Sequence, residues 1–137
     1  MVDISRTWLA GDGTPSPAQA STHALALERL DRNVELLRPG TRLRSPTFDA
    51  RSPPHETYRR YCCQFHGVGQ CDEFPEIDRP EQWDEWGYDG ELEAGMVLTL
   101  ESYVGPRAGG EGVKLENQVL VTANGPELLT DAPLALR

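Results

Sequence analysis

The sequence predicts an α+β fold in which one long helix and some short helices pack on an antiparallel sheet. Apolar residues recur at intervals of three and four between residues 20 and 37, which is the spacing of a helix with one apolar face. Segments 96–104 and 112–122 have the composition of strands, and the glycine-rich connection between them is typical of an antiparallel hairpin. The 137 residues are enough for one domain or for part of one.

The N-terminal third is predicted to contain a strand and then the long helix. Residues 2–9 alternate polar and apolar side chains, which predicts a strand. The helix begins after Ser16, a good N-cap, with Pro17 at its first position and Gln19 where a capping box requires it. An Arg-Pro-Gly sequence at 38–40 ends it.

The middle of the chain is predicted to be less regular. Prolines limit 41–54 to a short helix, and 55–63 predicts another short helix. The acidic and aromatic segment 72–89 predicts an irregular loop. The Asn-Gly-Pro sequence at 124–126 predicts a turn after the last long strand.

Composition and charge exclude several function classes. The formal net charge is −9, from 22 acidic and 13 basic residues, so no basic face remains to hold phosphates and we expect no nucleic-acid partner. The longest apolar run, at 96–100, is too short to span a bilayer, and no signal peptide is visible. The cysteines number three and two are adjacent, a poor disulfide framework that predicts a cytoplasmic protein. Because no apolar run is long enough to span a bilayer, we also expect no membrane partner.

The two late strands carry a pair of glutamates that the hairpin brings together. If the turn is centred near residues 108 and 109, Glu101 lies opposite Glu116, with Cβ atoms about 5 Å apart. Like charges so placed repel unless something compensates them. A pair of bridged metal ions, a shared proton, or a nearby Arg or Lys would each do so. Two solvated glutamates on an exposed face remain the alternative, and geometry alone favours it.

Three further residues are candidates for the same site. His66 lies in a His-Gly-Val-Gly turn whose small neighbours leave the imidazole room, and Asp3 lies on the polar face of the first predicted strand. Asp72 follows His66 by six residues. A lone histidine is more often structural than a ligand. A histidine with several acids on short strands, however, offers nitrogen and oxygen donors that suit Fe, Mn, Co or Zn.

With these motifs the sequence resembles the metallopeptidase-like superfamily with the pita-bread fold, which includes methionine aminopeptidase, Xaa-Pro peptidases and creatinase. That superfamily binds two metal ions with an Asp, Asp, His, Glu, Glu set in that chain order. The resemblance makes Asp3 the second Asp, His66 the His, Glu101 the first Glu and Glu116 the last, at spacings of 63, 35 and 15 residues. It implies a partial pita-bread domain with a curved antiparallel sheet.

One departure from the peptidases concerns the segment after His66. Peptidases of the superfamily usually carry a second histidine there, in a His-Glu-x-Pro context, whereas 71–75 reads Cys-Asp-Glu-Phe-Pro. An ionised Asp72 cannot donate a hydrogen bond to an oxyanion, but it can remove a proton. The combination resembles the dimethylsulfoniopropionate lyases of the superfamily. It implies Asp72 as the catalytic base, two divalent metal ions with iron preferred, and a small-molecule substrate that is eliminated to dimethyl sulfide and acrylate.

The resemblance also implies an incomplete ligand set. Only Met1 and Val2 precede Asp3, so the first Asp of the superfamily has no counterpart. We therefore expect residues 1–137 to be the C-terminal part of a pita-bread catalytic domain that is inactive or unstable alone. The resemblance implies a homodimer for full-length members. An Xaa-Pro peptidase-like hydrolase and a non-enzymatic module completed by a partner chain remain alternatives.

Overall fold

The computed structural model describes residues 2–11, 13–70 and 72–136 and confirms the predicted α+β class. Cys71 lies outside the described residues. The helices are α1 (Pro17–Asn33), α2 (Arg44–Asp49) and α3 (Trp83–Trp86), with 3-10 turns at Val34–Leu36 and Pro80–Gln82. The strands are β1 (Tyr58–Arg59), β2 (Phe65–Gly67), β3 (Glu76–Ile77), β4 (Val97–Pro106), β5 (Val113–Thr122) and β6 (Gly125–Leu128).

The strands form one antiparallel sheet in the order β3-β2-β4-β5-β6, and β1 pairs with the far end of β4. Its centre is the long β4–β5 hairpin, in which Glu101 pairs with Glu116, so the predicted register is confirmed. Strand β2 pairs on the other side of β4, which places His66 opposite Thr99. Within the described residues, no helix is both long and apolar enough to cross a bilayer.

Helix α1 covers one face of this hairpin. Its capping box is confirmed, since the Ser16 hydroxyl accepts from the Gln19 amide and the Gln19 side chain accepts from the Ser16 amide. Buried apolar side chains of the helix pack in one core with those of β4 and β5; the set includes Ala26, Leu30, Leu98, Leu100, Leu115 and Val119. Because strand side chains alternate between faces, Glu101 and Glu116 project from the opposite face.

Residues 2–9 do not form the predicted strand. Only Ser5 makes a bridge, and its partner is Glu116 of β5. Beyond the bridge, side chains replace the backbone ladder, because the Thr7 hydroxyl donates to the Lys114 carbonyl and accepts from its amide. The segment is therefore extended and is attached to β5 by one bridge and by side-chain hydrogen bonds. Alternation of polar and apolar residues does not distinguish such a segment from a strand.

Two middle segments also differ from their predictions. Residues 55–63 contain β1 instead of a short helix, because the chain turns at Pro54, where the amide of Tyr58 donates to the Pro54 carbonyl, and then pairs with the end of β4. Residues 72–89 are not irregular throughout, since β3 pairs there with β2 and α3 follows. In both segments the secondary structure is determined by pairing with strands that are distant in sequence.

Candidate metal centre

The fold brings together four of the five candidate residues, Asp3, His66, Glu101 and Glu116. We call these four residues the carboxylate cluster. The Nε2 atom of His66 lies 3.6 Å from Oε1 of Glu101, 3.8 Å from Oδ2 of Asp3 and 3.9 Å from Oε1 of Glu116. Donor atoms of Asp3, His66 and Glu116 all lie within 4.8 Å of one another. One nitrogen and several carboxylate oxygens thus lie within a few ångströms of one another.

Burial makes this convergence informative. The side chains of His66, Glu101 and Glu116 are almost fully buried, whereas that of Asp3 is 44% exposed and forms the open side of the cluster. Within the described residues, Oε2 of Glu101 and Oε1 of Glu116 are buried without a hydrogen-bond partner. An unpartnered buried carboxylate oxygen costs about 1–3 kcal/mol or more. The cluster therefore fits a divalent cation, which would satisfy both oxygens.

His66 is oriented by its neighbour in β2. Its Nδ1 lies 3.0 Å from the Gly67 carbonyl, to which it donates, so Nε2 faces the carboxylates. Burial alone would lower the pKa of His66. The contact with Glu101, the Gly67 carbonyl and the charges of Glu73 and Glu101 outweigh burial and raise the pKa of His66 to about 9. Without a metal ion, the imidazolium partly balances the surrounding acids.

Lys114 supplies a second compensating charge. Its Nζ lies 3.1 Å from Oε1 of Glu101 and 3.3 Å from Oε2 of Glu116, and it also lies 4.3 Å from the centre of the Tyr61 ring. Burial would lower the pKa of Lys114, but the two glutamates together raise it. A Lys near the pair was one of the open alternatives for the glutamates. Strand parity places Lys114 on their face, and this was the only sequence signal for its role.

Asp3 is not paired in a strand; it is held by a hydrogen bond from β4 and by the anchoring of the segment that follows it. The Thr99 hydroxyl donates to the Asp3 carbonyl at 3.1 Å, and the Ser5 hydroxyl donates to Oε2 of Glu116 at 2.6 Å. Burial, followed by the charge of Glu116 and a hydrogen bond with it, raises the pKa of Asp3. Ser5 was missed from sequence because nothing local distinguishes it from other strand serines.

Asp72, the predicted base, is not part of the carboxylate cluster. It is exposed at a tight turn, where it bridges Gly69 and has a φ of 57°, a left-handed conformation that Asp tolerates. Among the described residues, it makes no hydrogen bond or ion pair with the four. After the contacts with Glu101 and the Gly67 carbonyl, the charge of Glu73, the neighbour of Asp72, also contributes to the raised pKa of His66. Sequence reasoning passed over Glu73 because both acids lie in the same motif.

Gly67 explains why this loop lies beside the histidine. Its amide donates to the carbonyls of Glu73 and Pro75, and a Cβ at position 67 would lie 2.0 Å from the Phe74 carbonyl oxygen. Only glycine allows that approach. This close approach of the two backbones brings 72–76 next to His66.

A buried histidine and three carboxylates at the centre of an antiparallel sheet define a candidate metalloenzyme domain. The chain belongs to metallopeptidase family M24, whose pattern matches residues 1–123. Members of this family are dimetal-dependent, and the carboxylate cluster is a candidate for part of such a ligand group.

Similarity to characterised proteins is consistent with this family assignment. The chain is 41% identical over 135 residues to the dimethylsulfoniopropionate lyase DddP of Roseovarius nubinhibens, covering 96% of this chain and 30% of the lyase. It is 36% identical over 133 residues to the Xaa-Pro dipeptidase of Pyrococcus furiosus, covering 93% of this chain and 35% of the dipeptidase. The structure of an Xaa-Pro dipeptidase from Bacillus anthracis superposes with a TM-score of 0.77 at 27% identity, covering 98% of this chain and 36% of that one. The fold is therefore a partial pita-bread domain, and the chain spans about a third of the length of these relatives.

Proposed function

We propose that this chain forms part of the catalytic centre of a dimethylsulfoniopropionate lyase, which eliminates its substrate to dimethyl sulfide and acrylate. The observation that carries the proposal is a metal-type cluster with a single histidine. Peptidases of the superfamily usually carry a second histidine beside the metal, which donates a hydrogen bond to the oxyanion. An elimination needs a base there instead.

The other two histidines are engaged elsewhere. His23 is buried on α1 with its Nε2 2.7 Å from the Leu134 carbonyl, and His55 is exposed beside Glu56. Neither contacts the carboxylate cluster within the described residues. This distribution, with the higher identity to a lyase than to a dipeptidase, supports elimination over hydrolysis.

In the proposed reaction Asp72 accepts the proton on the carbon next to the substrate carboxylate. The electron pair of that C–H bond forms the double bond of acrylate, and the C–S bond breaks with its electrons leaving on dimethyl sulfide. The exposed position of Asp72 in the loop after His66 leaves its carboxylate accessible to a small molecule. Bound divalent ions would supply positive charge to hold the substrate carboxylate and to stabilise the charge that develops.

We propose two divalent ions per active centre, with iron preferred and Mn, Co or Zn as alternatives. Asp3, His66, Glu101 and Glu116 would hold them, since nitrogen and carboxylate oxygen suit all four metals. The ligand set of the superfamily has five members and this chain presents four. Metal analysis of the reconstituted chain tests the stoichiometry and the preference.

The lyase proposal is tested most directly in a chimera, because the chain spans 30% of the lyase it resembles. The matched region of the Roseovarius nubinhibens lyase is replaced by residues 1–137, and the same exchange is made in the Pyrococcus furiosus dipeptidase. We expect the lyase chimera to release dimethyl sulfide, measured by gas chromatography. Hydrolysis of an Xaa-Pro dipeptide by the second chimera, with no dimethyl sulfide from the first, would overturn the proposal.

Two neighbouring acids provide a matched pair of variants in the lyase chimera. Loss of a general base removes about 10²–10⁴-fold in rate, so Asp72→Asn should abolish measurable release while the metal content is unchanged. Glu73→Gln removes the same charge one residue away and should retain most activity. The reverse result would assign the base to Glu73.

A further inference from the structure

A second group of donor atoms lies near the carboxylate cluster and takes no part in it. Cys62, Cys63 and Glu76 each offer one ligand atom, and these atoms all lie within 4.8 Å of one another. Cys62 and Glu76 are exposed and Cys63 is buried, so the group is accessible from solvent on one side. We call these three residues the thiol cluster.

The spacing of the two sulfurs matches a tetrahedral metal site. The Sγ atoms are 3.9 Å apart, which is far longer than a disulfide bond. Two zinc–sulfur bonds of about 2.3 Å that meet at about 109° place their sulfurs about 3.8 Å apart. The separation of the two sulfurs therefore allows one ion to bind both thiolates of this dipeptide, and the Glu76 carboxylate is within reach as a third ligand.

The surroundings fix the backbone at the thiols and balance their charge. The buried guanidinium of Arg79 donates to the carbonyls of Tyr61 and Cys63, on either side of Cys62, and to the Ser52 hydroxyl. Burial, followed by the proximity of Cys62, raises the pKa of Cys63. A bound cation would displace the thiol protons, and Arg79 offsets the negative charge of two thiolates and a carboxylate.

We propose that Cys62, Cys63 and Glu76 bind one thiophilic divalent cation of the zinc and cadmium class, with solvent at the fourth position. This site is separate in ligand chemistry from the carboxylate cluster, because two sulfur donors select softer cations than carboxylates and imidazole do. Its occupation does not depend on the proposed lyase activity.

Cadmium titration of the reduced chain tests the proposal, because cadmium–thiolate bonds have a charge-transfer band in the ultraviolet that cadmium bound to oxygen and nitrogen lacks. We expect one equivalent of Cd²⁺ to produce this band. Removing an outer-shell partner alone weakens metal binding by about 10–100-fold. Cys62→Ser and Glu76→Gln each remove a ligand, so each should weaken Cd²⁺ binding at least about tenfold, and both residues are exposed enough for the fold to tolerate the change.

The chain provides its own control in Cys71, the third cysteine. Cys71→Ser removes one thiol outside the proposed ligand set, and the band and its affinity should remain. Circular dichroism verifies that each variant is folded. Absence of the band in the unaltered chain, or an equal loss in Cys71→Ser and Cys62→Ser, would overturn the assignment.

Discussion

The carboxylate cluster and the thiol cluster show two ways of assembling metal donors on one sheet. In the carboxylate cluster, donors far apart in sequence meet because β2, β4 and β5 are neighbouring strands: Glu101 pairs with Glu116, and His66 pairs with Thr99, two residues before Glu101. In the thiol cluster, Cys62 and Cys63 are sequence neighbours, and the short β2–β3 pairing places Glu76 beside them. The first depends on the centre of the sheet, and the second depends on its edge.

The two clusters also differ in how their charge is balanced. In the carboxylate cluster, His66 and Lys114 lie directly among the acidic side chains. Beside the thiol cluster, Arg79 hydrogen-bonds to backbone carbonyls rather than to the ligand side chains. The carboxylate cluster therefore holds its counterions in the metal-free state, and a metal ion must compete with them. The edge site holds thiols instead, and a metal must displace protons.

Gly67 is the point where both clusters meet, and its substitution should have the largest effect. Gly67→Ala places a methyl group 2.0 Å from the Phe74 carbonyl oxygen, so the β2–β3 region must shift. We expect the free energy of unfolding to fall by about 3 kcal/mol, the upper end for overpacking. Cation binding at both clusters should weaken together, since β2 carries His66 and β3 carries Glu76.

The control for this substitution is Gly13→Ala. No atom lies within 4 Å of a Cβ built at Gly13, so the unfolding free energy should be nearly unchanged. Chemical denaturation followed by circular dichroism measures both variants. If Gly67→Ala weakened only one cluster, the two sites would not share the β2–β3 region as a common support.

Loss of a ligand from the carboxylate cluster should affect metal binding there and leave the thiol cluster unchanged. Glu101→Gln removes a charged donor and should reduce affinity of the carboxylate cluster for Mn²⁺ or Co²⁺ by at least about 100-fold, the upper limit for losing an outer-shell partner. The cadmium–thiolate band should be unaffected. Calorimetric titration measures the first effect and absorbance the second.

Glu127→Gln is the matched control, because Glu127 is an exposed acid of β6 and the charge change is identical. Its metal affinities should equal those of the unaltered chain. A loss of the thiolate band in Glu101→Gln would show that the clusters are coupled and not independent.

The sequence predicted the carboxylate cluster far better than the thiol cluster. The register of Glu101 and Glu116 follows from strand parity and the glycine-rich turn, and the α1 cap follows from Ser16 and Gln19. These are local signals. The pairing of Glu76 with His66 joins two very short strands, and no periodicity marks strands of that length.

The position of Asp3 illustrates the same limit. Alternation predicted Asp3 on the polar face of a strand that does not form. In the structure the Thr99 hydroxyl donates to the Asp3 carbonyl, and the Ser5 hydroxyl fixes the following segment to Glu116. Hydrogen bonds between side chains remote in sequence have no pattern that one sequence reveals. The role of Asp72 stays a prediction, because it rests on the resemblance and its side chain lies in solvent.

Lys114 tests whether the central cluster is balanced by its own counterion. Lys114→Met leaves two buried carboxylates with less compensation, and breaking a buried pair costs about 3–5 kcal/mol. Because the Lys114 side chain is 31% exposed, we expect a smaller loss of about 2 kcal/mol in the metal-free unfolding free energy. Divalent metal should restore the stability, and metal affinity should rise because a competing cation is gone.

Lys114→Arg keeps the charge and is the control for this prediction. Its metal-free stability should stay close to that of the unaltered chain, and denaturation with and without Mn²⁺ measures all three proteins. A Lys114→Met chain as stable as the unaltered one without metal would show that His66 alone balances the glutamates.

Substitution of Ser5 should give the smallest effect. It tests whether the exposed side of the carboxylate cluster, at Asp3, matters less for metal binding than its buried residues do. Ser5→Ala removes the 2.6 Å hydrogen bond to Glu116 and leaves a buried acceptor, which costs about 1–2 kcal/mol in unfolding free energy. Metal affinity should fall only modestly, because Asp3 is loosened while His66 and Glu101 keep their places in the sheet. Ser21→Ala on the exposed surface of α1 is the control, and alanine favours helix there, so its stability should not decrease. If Ser5→Ala weakened metal binding as much as Glu101→Gln, the N-terminal segment rather than the sheet would govern the site.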